Sequence, residues 1–152
     1  MRQATLCFLV RGDKVLLAMK KRGFGAGKWN GVGGKVGLEE SIEQTAIRET
    51  KEEIEVVIKS LKRVAVLDFR FKDKPEWNQI VTVFLVRQWE GNPSESEEMA
   101  PQWFDKSQLP FTDMWPDDPY WLPLVLVGKH IKATFTFKGD QEIESFQVNA
   151  EN

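Results

Sequence analysis

The chain has 152 residues, with 21 Lys and Arg against 23 Asp and Glu, and a formal net charge of −2. This length fits one domain with a sizeable core, over residues 1–152, and the missing basic excess argues against binding of a nucleic acid polymer, although a single nucleotide needs only local charge. One cysteine, Cys7, excludes an intramolecular disulfide and a multi-cysteine zinc site, and no apolar run reaches the ~18 residues of a membrane span.

The first third of the chain predicts a hairpin followed by a glycine-rich segment. Apolar runs over residues 4–10 and 14–19 flank Arg11-Gly12-Asp13, which is typical of a β-hairpin with a glycine turn. The non-periodic stretch 22–37 contains GFGAGKWNGVGG. Glycine permits unusual backbone angles and close approach of the backbone to a ligand, so this stretch is a candidate binding loop.

The remaining elements alternate between strands and helices. Four further strands are predicted over 61–71, 79–88, 133–138 and 142–148. A second helix is predicted over 120–129, with Asp118 as N-cap and Pro119 at the first helical position. Trp103 and Phe104 form only a short apolar segment. Interleaved strands and helices indicate a sheet with helices on its faces.

A first helix is predicted over residues 39–54, and it carries a cluster of acids. Its apolar side comprises Ile42, Ala46, Ile47, Thr50 and Ile54. Glu49, Glu52 and Glu53 stand at i, i+3 and i+4, so they are neighbours bordering that side, where like charges repel. A hard divalent cation such as Mg²⁺ would compensate them. The alternative is a solvated acidic helix face.

The acids belong to a longer spaced pattern. From Gly34 there are five residues, then Glu40, then seven, then Arg48-Glu49-Thr50-Lys51-Glu52-Glu53. This pattern resembles the Nudix box, Gly-x5-Glu-x7-Arg-Glu-U-x-Glu-Glu-x-Gly-U, where U is a bulky aliphatic residue. Thr50 replaces an aliphatic residue, which is expected to weaken packing under the helix. Glu55 replaces the final glycine, which puts the helix end in doubt because that glycine often adopts a left-handed conformation.

The resemblance implies an α+β fold, in which a mixed β-sheet is sandwiched between α-helices. It also implies hydrolysis of a nucleoside diphosphate linked to another group, with Mg²⁺ or Mn²⁺ held by box glutamates. By position, Glu49 and Glu53 would bind the metal, and Glu52 would be a further ligand or would polarise the attacking water. The Gly33 carbonyl would complete the protein's share of the metal shell. Arg48 would orient the glutamates, and Glu40 would support them.

Three segments outside the box are similar to animal MutT-homologue oxidised-purine triphosphatases. These segments are residues 20–31, 97–104 and 110–118. That resemblance implies cleavage of 8-oxo-dGTP, 2-oxo-dATP and similar nucleotides to monophosphate and pyrophosphate. It also implies a set of substrate-binding residues, namely Thr5, Lys20, Phe24, Asn30, Phe69, Asn78, Trp115, Asp117 and Asp118. Glu98 matches an acid outside the box that completes the metal site.

Each of these positions also has a plainer interpretation. Asp118 could be only a helix cap and Asp117 a surface acid, while Trp115 and Phe69 could be core residues and Lys20 a surface lysine. At the level of function, the alternatives are a Nudix enzyme acting on undamaged or methylated purine triphosphates, nucleotide sugars or dinucleotides, and a non-catalytic nucleotide-binding Nudix protein. We expect a cytosolic monomer without membrane contact, or, in a eukaryote, one that also serves the mitochondrion or nucleus.

Overall fold

A computed structural model describes residues 1–151, which form one mixed sheet and two helices. The eight strands are β1 (Arg2–Arg11), β2 (Lys14–Lys20), β3 (Trp29–Asn30), β4 (Val57–Phe71), β5 (Gln79–Glu90), β6 (Met99–Asp105), β7 (His130–Lys138) and β8 (Glu142–Glu151). The helices are α1 (Ile42–Ile54) and α2 (Asp118–Leu126). The strand order is β3-β2-β1-β5-β4-β7-β8, with β6 paired to β2. The pairs β1–β5 and β4–β7 are parallel and the others antiparallel, so the predicted mixed sheet is confirmed.

The helices cover opposite faces of this sheet, because side chains alternate along each strand. In β1, Phe8 belongs to the core under α2, together with Trp121. Cys7 and Leu9 belong to the core under α1, together with Ala46. The predicted arrangement of a sheet between helices is therefore confirmed. None of the helices within residues 1–151 is both long and apolar enough to cross a membrane.

Helix α1 begins and ends through specific caps. Ser41 and Gln44 form a capping box, in which each side chain bonds the other residue's backbone N–H, so the helix begins at Ile42 rather than at residue 39. Glu55 takes the left-handed conformation at φ 60° and its N–H bonds the Lys51 carbonyl, so the helix ends at residue 54 as predicted, without a glycine. The expectation that Ile47 lies on the apolar side is wrong, because Ile47 is 38% exposed.

Helix α2 differs from its prediction at both ends. Asp117, not Asp118, occupies the N-cap position, and its side chain makes no capping bond. The predicted capping role of Asp118 is therefore wrong, because both carboxyls are buried and aimed elsewhere. The helix ends at Leu126 rather than residue 129, since Gly128 turns the chain at φ 98° and His130 already begins β7.

The hairpin of β1 and β2 is confirmed by the pairing of Val10 with Val15. Strands β3 and β6 were not predicted. Strand β3 has two residues, and β6 contains Pro101, which cannot donate a ladder hydrogen bond and is tolerated because β6 pairs with β2 alone. The remaining predicted strands all form, and β4 begins four residues earlier than expected, at Val57.

Candidate active site

Two glycines bring the acids of α1 against the end of β1. The Gly33 N–H donates to Glu53 Oε1 at 2.9 Å. A Cβ on Gly33 would lie 2.0 Å from the Thr5 carbonyl oxygen, and one on Gly34 would lie 2.7 Å from the Glu49 carboxyl carbon. Gly33 therefore requires glycine because backbone approaches it so closely, whereas a side chain at Gly34 would displace the Glu49 carboxylate. Gly34, the first residue of the box pattern, thus leaves room for the carboxylate of Glu49, which belongs to the same pattern.

Arg48 gathers three of the box carboxylates. Its guanidinium bonds Glu40 at 2.7 and 2.9 Å, Glu49 at 3.1 Å and Glu52 at 3.2 Å. Glu40 also accepts hydrogen bonds from the Gly37 N–H and the Thr45 hydroxyl. The bonds from Arg48 and Thr45 lower the pKa of Glu40 to about 2, so Glu40 remains ionised. Arg48 therefore holds Glu40, Glu49 and Glu52 together in one cluster.

Ionisation of Glu49 and Glu53, the two glutamates nearest the glycines, costs free energy. Burial, followed by the nearby charge of Glu49, raises the pKa of Glu53 to about 7. Burial also raises the pKa of Glu49, against the lowering effect of Arg48. Within residues 1–151, no Lys or Arg forms an ion pair with Glu53. Two raised carboxyl pKa values side by side indicate a place where a bound cation would be strongly favoured.

The donor set fits a hard divalent cation. Glu49, Glu53 and the Gly33 carbonyl supply oxygen atoms, which Mg²⁺ and Mn²⁺ accept. Across the described chain, no three His, Cys, Asp or Glu side chains are already gathered into a cage. Mg²⁺ typically takes one or two protein carboxylates and keeps waters or substrate phosphates as its remaining ligands.

Glu98, the expected acid outside the box, lies near Glu53 but is engaged by Arg22. The Arg22 guanidinium bonds Glu98 Oε1 through Nη2 at 2.6 Å and through Nε at 3.1 Å. This partner lowers the pKa of Glu98, while the negative field of Glu98 raises that of Glu53. Both side chains are substantially exposed, and exposed pairs of this kind are weak. Glu98 therefore lies near Glu53, and a bound cation could replace Arg22 as its partner.

A cavity of about 250 Å³ extends from the two glycines to the start of α2. Its lining includes most of the predicted substrate-binding set, namely Thr5, Lys20, Phe24, Asn30, Phe69, Trp115, Asp117 and Asp118. Gly33 and Gly34 line the same cavity. The box glutamates do not line this cavity themselves, but Gly33 and Gly34 contact Glu53 and Glu49, so the acids of α1 adjoin the space that the candidate base-binding residues line.

Asn78 is the exception among the predicted substrate-binding residues. It does not line the cavity, and its Oδ1 accepts a hydrogen bond from the Phe71 N–H at 2.7 Å. Its neighbour Gln79 lines the cavity instead. Asn78 precedes β5 and ends the turn Pro75–Trp77, and its hydrogen bond with the Phe71 backbone holds its side chain away from the cavity.

Asp117 and Asp118 form a buried pair at the far end of the cavity. They are only 4% and 2% exposed. The Trp121 indole N–H donates to Asp117 Oδ2 at 2.8 Å, whereas Asp118 Oδ2 has no partner among the described residues. Burial raises the pKa of both carboxyls, and the charge of Asp117 raises that of Asp118 further. The raised pKa values favour retention of a proton by this pair, and both residues line the cavity.

Aromatic rings form the walls beside this pair. Phe69 is buried and lies 5.9 Å from Phe135, ring centroid to centroid. Trp115 is half-buried, with the Phe24 ring at 5.2 Å and the Lys28 ammonium at 5.2 Å from its own centroid. Flat walls and a hydrogen-bonding end suit a planar heterocyclic base.

Several site residues were not found by sequence reasoning. Lys28, Gln79 and Asp140 line the cavity, and Trp121 positions Asp117. Lys28 lies within the glycine-rich segment, and that position is the one signal that could have found it. The others depend on register and on packing between distant elements, which no local pattern encodes.

Comparison with known proteins gives concordant matches. The NUDIX domain family model matches residues 1–125. The chain is 46% identical to the oxidized purine nucleoside triphosphate hydrolase of Mus musculus, covering 95% of this chain and 92% of that protein. It is 47% identical to the protein of the same name from Danio rerio, covering 95% and 92%. A crystal structure of the MutT protein from Bacillus halodurans superposes with a TM-score of 0.83 at 24% identity, covering 98% of each chain, which shows a shared fold.

Proposed function

Because this chain belongs to the Nudix family of hydrolases, we propose that it hydrolyses oxidised purine nucleoside triphosphates, such as 8-oxo-dGTP and 2-oxo-dATP. The products are the nucleoside monophosphate and pyrophosphate. Water adds to one phosphorus of the bridge between the α- and β-phosphates, the bond from that phosphorus to the bridging oxygen breaks, and the oxygen leaves with the other phosphorus. The biological result is a nucleotide pool cleared of damaged precursors before a polymerase can incorporate them.

The observation that carries this proposal is one cavity whose lining includes both the glycines beside the box glutamates and the Asp117–Asp118 pair. Gly33 and Gly34 contact Glu53 and Glu49 directly. Asp118 lines the same cavity, and its buried Oδ2 has no partner among the described residues. Lys20 lies in the lining, where its charge can neutralise a phosphate. A nucleotide lying along this space would present phosphates to the first group and its base to the second.

We propose Mg²⁺, with Mn²⁺ as a substitute, as the metal for this reaction. Glu49, Glu53 and the Gly33 carbonyl would hold it, with Glu98 as a further ligand once Arg22 releases it. When bound, the metal supplies charge neutralisation for the phosphates and activation of water. Arg48 keeps Glu49 and Glu52 oriented through its 3.1 and 3.2 Å bonds. Glu52 would act as a further ligand or as the group that polarises the attacking water.

Asp117 and Asp118 would distinguish oxidised from ordinary bases. An ionised carboxylate only accepts hydrogen bonds, whereas a protonated carboxyl can also donate one. A pair that shares a proton can offer one donor and one acceptor, and moving that proton reverses the order. Such a pair could match an oxidised guanine and an oxidised adenine in turn. Asn30, which lines the cavity and carries both a donor and an acceptor, would read another edge of the base.

The test is a pyrophosphate-release screen over oxidised, methylated and undamaged purine triphosphates with Mg²⁺. We expect 8-oxo-dGTP and 2-oxo-dATP to give kcat/KM values at least about tenfold above dGTP and dATP, which corresponds to about 1.4 kcal/mol of discrimination. The Glu53→Gln variant serves as the blank. Equal turnover of oxidised and undamaged nucleotides would reject the proposed substrate class, and release of single phosphate would reject the proposed bond cleavage.

We further propose that the protein acts as a monomer on free nucleotides in a reducing compartment such as the cytosol. Cys7 is buried as a free thiol, and burial raises its pKa to about 12, which makes it an inert packing residue.

A further inference from the structure

Three aromatic rings meet at the rim of the cavity. Phe24, from the glycine-rich loop, lies between Trp115 at 5.2 Å and Trp77 at 5.5 Å between ring centroids. We call Phe24, Trp77 and Trp115 the aromatic clasp. Trp115 and Phe24 line the cavity, whereas Trp77 does not. Phe24 is 56% exposed, so these two rings are its main fixed neighbours.

Trp77 is itself firmly placed. It ends the 3-10 turn Pro75–Trp77, in which its N–H bonds the Lys74 carbonyl at 2.9 Å. Its ring lies edge-on to Phe71, a cavity-lining residue, at 5.8 Å. The Lys74 ammonium lies 4.9 Å from the ring centroid, within cation–π range. Trp77 therefore connects the rigid sheet to the tip of the loop that carries Phe24.

Asn78 fixes the same turn to the sheet. Its carboxamide oxygen accepts the Phe71 N–H at 2.7 Å, and its own N–H bonds the Pro75 carbonyl at 3.0 Å. The Asn78 side chain, which was expected to bind substrate, therefore lies outside the cavity lining. It holds the segment from which Trp77 projects.

The loop that carries Phe24 is tethered at its base and glycine-rich at its tip. The Lys21 N–H bonds the Glu98 carbonyl at 2.9 Å, which ties the base to the segment before β6. Gly23 and Gly25, on either side of Phe24, have φ of +82° and +87°. The Ala26 and Lys28 N–H groups bond the Gly23 and Gly25 carbonyls, both at 3.1 Å, and form the turns of the tip. These backbone bonds do not place the exposed Phe24 side chain, and the clasp supplies the packing that does.

We propose that Trp77 is a positioning residue for nucleotide binding, which holds Phe24 against Trp115 at the cavity rim and slows release of the base. This inference rests on the proposed function, since it assumes a purine base against Trp115. Trp77 touches none of the box glutamates, so it affects binding rather than the chemical step. Each aromatic pair contributes beyond its buried area, and ordering of the loop before binding strengthens affinity.

The experiment measures the dissociation constant of 8-oxo-dGMP, the monophosphate product, which the proposed reaction does not cleave further. It also measures KM and kcat for 8-oxo-dGTP. We expect Trp77→Ala to raise Kd and KM about tenfold, equivalent to 1.4 kcal/mol, chiefly through faster dissociation. The kcat at saturation should stay within about twofold of the parent. Trp77→Phe should recover most of the affinity because it keeps an aromatic partner for Phe24.

The matched control is Trp89→Ala. Trp89 also has a ring partner, Trp103 at 6.0 Å, and a cation over its face, Arg11 at 4.7 Å, but it packs against the core under α1. We expect this variant to bind 8-oxo-dGMP like the parent. Asn78→Ala should weaken binding in the same direction as Trp77→Ala, but by about threefold.

Two results separate this inference from the proposed function. If the parent binds 8-oxo-dGMP and Trp77→Ala binds it within twofold, or if Trp89→Ala loses as much affinity as Trp77→Ala, the clasp is rejected while the proposed function stands. A loss of kcat without a change in Kd also rejects it. If the parent neither binds 8-oxo-dGMP nor turns over 8-oxo-dGTP, the proposed function fails and the inference fails with it.

Discussion

Glu49 and Glu53 form one acidic group with raised pKa values and the Asp117–Asp118 pair forms another, yet the two groups are built differently. Glu49 and Glu53 are only partly buried, and Arg48 bonds Glu49. The aspartates are almost completely buried. Among the described residues, the one side chain outside the pair that donates a hydrogen bond to them is the neutral Trp121 indole. The first arrangement favours arrival of a cation, and the second favours retention of a proton. Burial of acid can therefore serve phosphate chemistry at one end of a cavity and base recognition at the other.

The largest expected effect follows from neutralising the glutamate end. Glu53→Gln is nearly isosteric but removes the charge that would hold Mg²⁺, so we expect kcat to fall at least about 100-fold, beyond the 10–100-fold typical of losing a supporting residue. Glu40→Gln, which removes a partner of Arg48, should cost less. Steady-state pyrophosphate release at saturating Mg²⁺ measures both. Parent-like turnover of Glu53→Gln would remove the metal assignment.

A change at the aspartate end should act on selectivity. Asp118→Asn replaces a carboxyl that can gain or lose a proton with an amide that always donates a hydrogen bond. We therefore expect losses of kcat/KM on 8-oxo-dGTP and 2-oxo-dATP that differ by about tenfold or more. An unpaired buried polar group, which one of the two bases would leave, costs about 1–3 kcal/mol. The parent's preference should change as pH rises through the raised pKa of the pair, and the variant's should not. Asp113→Asn, at an exposed acid five residues earlier, is the control. Equal losses with unchanged pH dependence would leave the pair without a role in base recognition.

A third prediction concerns stability without metal. A carboxyl whose pKa is higher in the folded state weakens the fold as pH rises, so the Glu53 penalty develops between its ordinary value of 4.5 and about 7 and persists above. In EDTA at pH 8, Glu53→Gln should raise the free energy of unfolding by up to about 3 kcal/mol. At pH 4 the difference should nearly vanish. Urea unfolding at both pH values measures it, and a destabilised variant at pH 8 would contradict the assigned burial cost.

The smallest effect is expected at Thr50, the departure from the box's aliphatic position. Thr50 is fully buried and its hydroxyl donates to the Ala46 carbonyl at 2.8 Å, so packing under α1 is complete. Thr50→Val should change the free energy of unfolding by less than about 1.5 kcal/mol, since one net hydrogen bond is exchanged for apolar contact. The kcat should be unchanged. Thermal unfolding and turnover together check this prediction.

The same two regions show what sequence can predict. The box acids share one helix, so the spacing of Glu49, Glu52 and Glu53 fixes their relation, and Ser41 to Ile54 follow local capping and periodicity. Asp118 was predicted to cap α2 from its local position before Pro119. That prediction failed because the burial of Asp118 depends on how α2 packs on β7, a contact between distant segments. Trp77 and Asn78 show the same limit, since their roles depend on Phe71 and Phe24, which lie in other elements.

The most direct test of this division of roles compares selectivity in two variants. The quantity is the ratio of kcat/KM for 8-oxo-dGTP to that for dGTP, measured for the parent, Glu53→Gln and Asp118→Asn at one pH and saturating Mg²⁺. We predict that Glu53→Gln lowers both rates by the same factor and keeps the parent ratio, while Asp118→Asn changes the ratio about tenfold or more. A ratio that changes in Glu53→Gln and stays constant in Asp118→Asn would contradict the account.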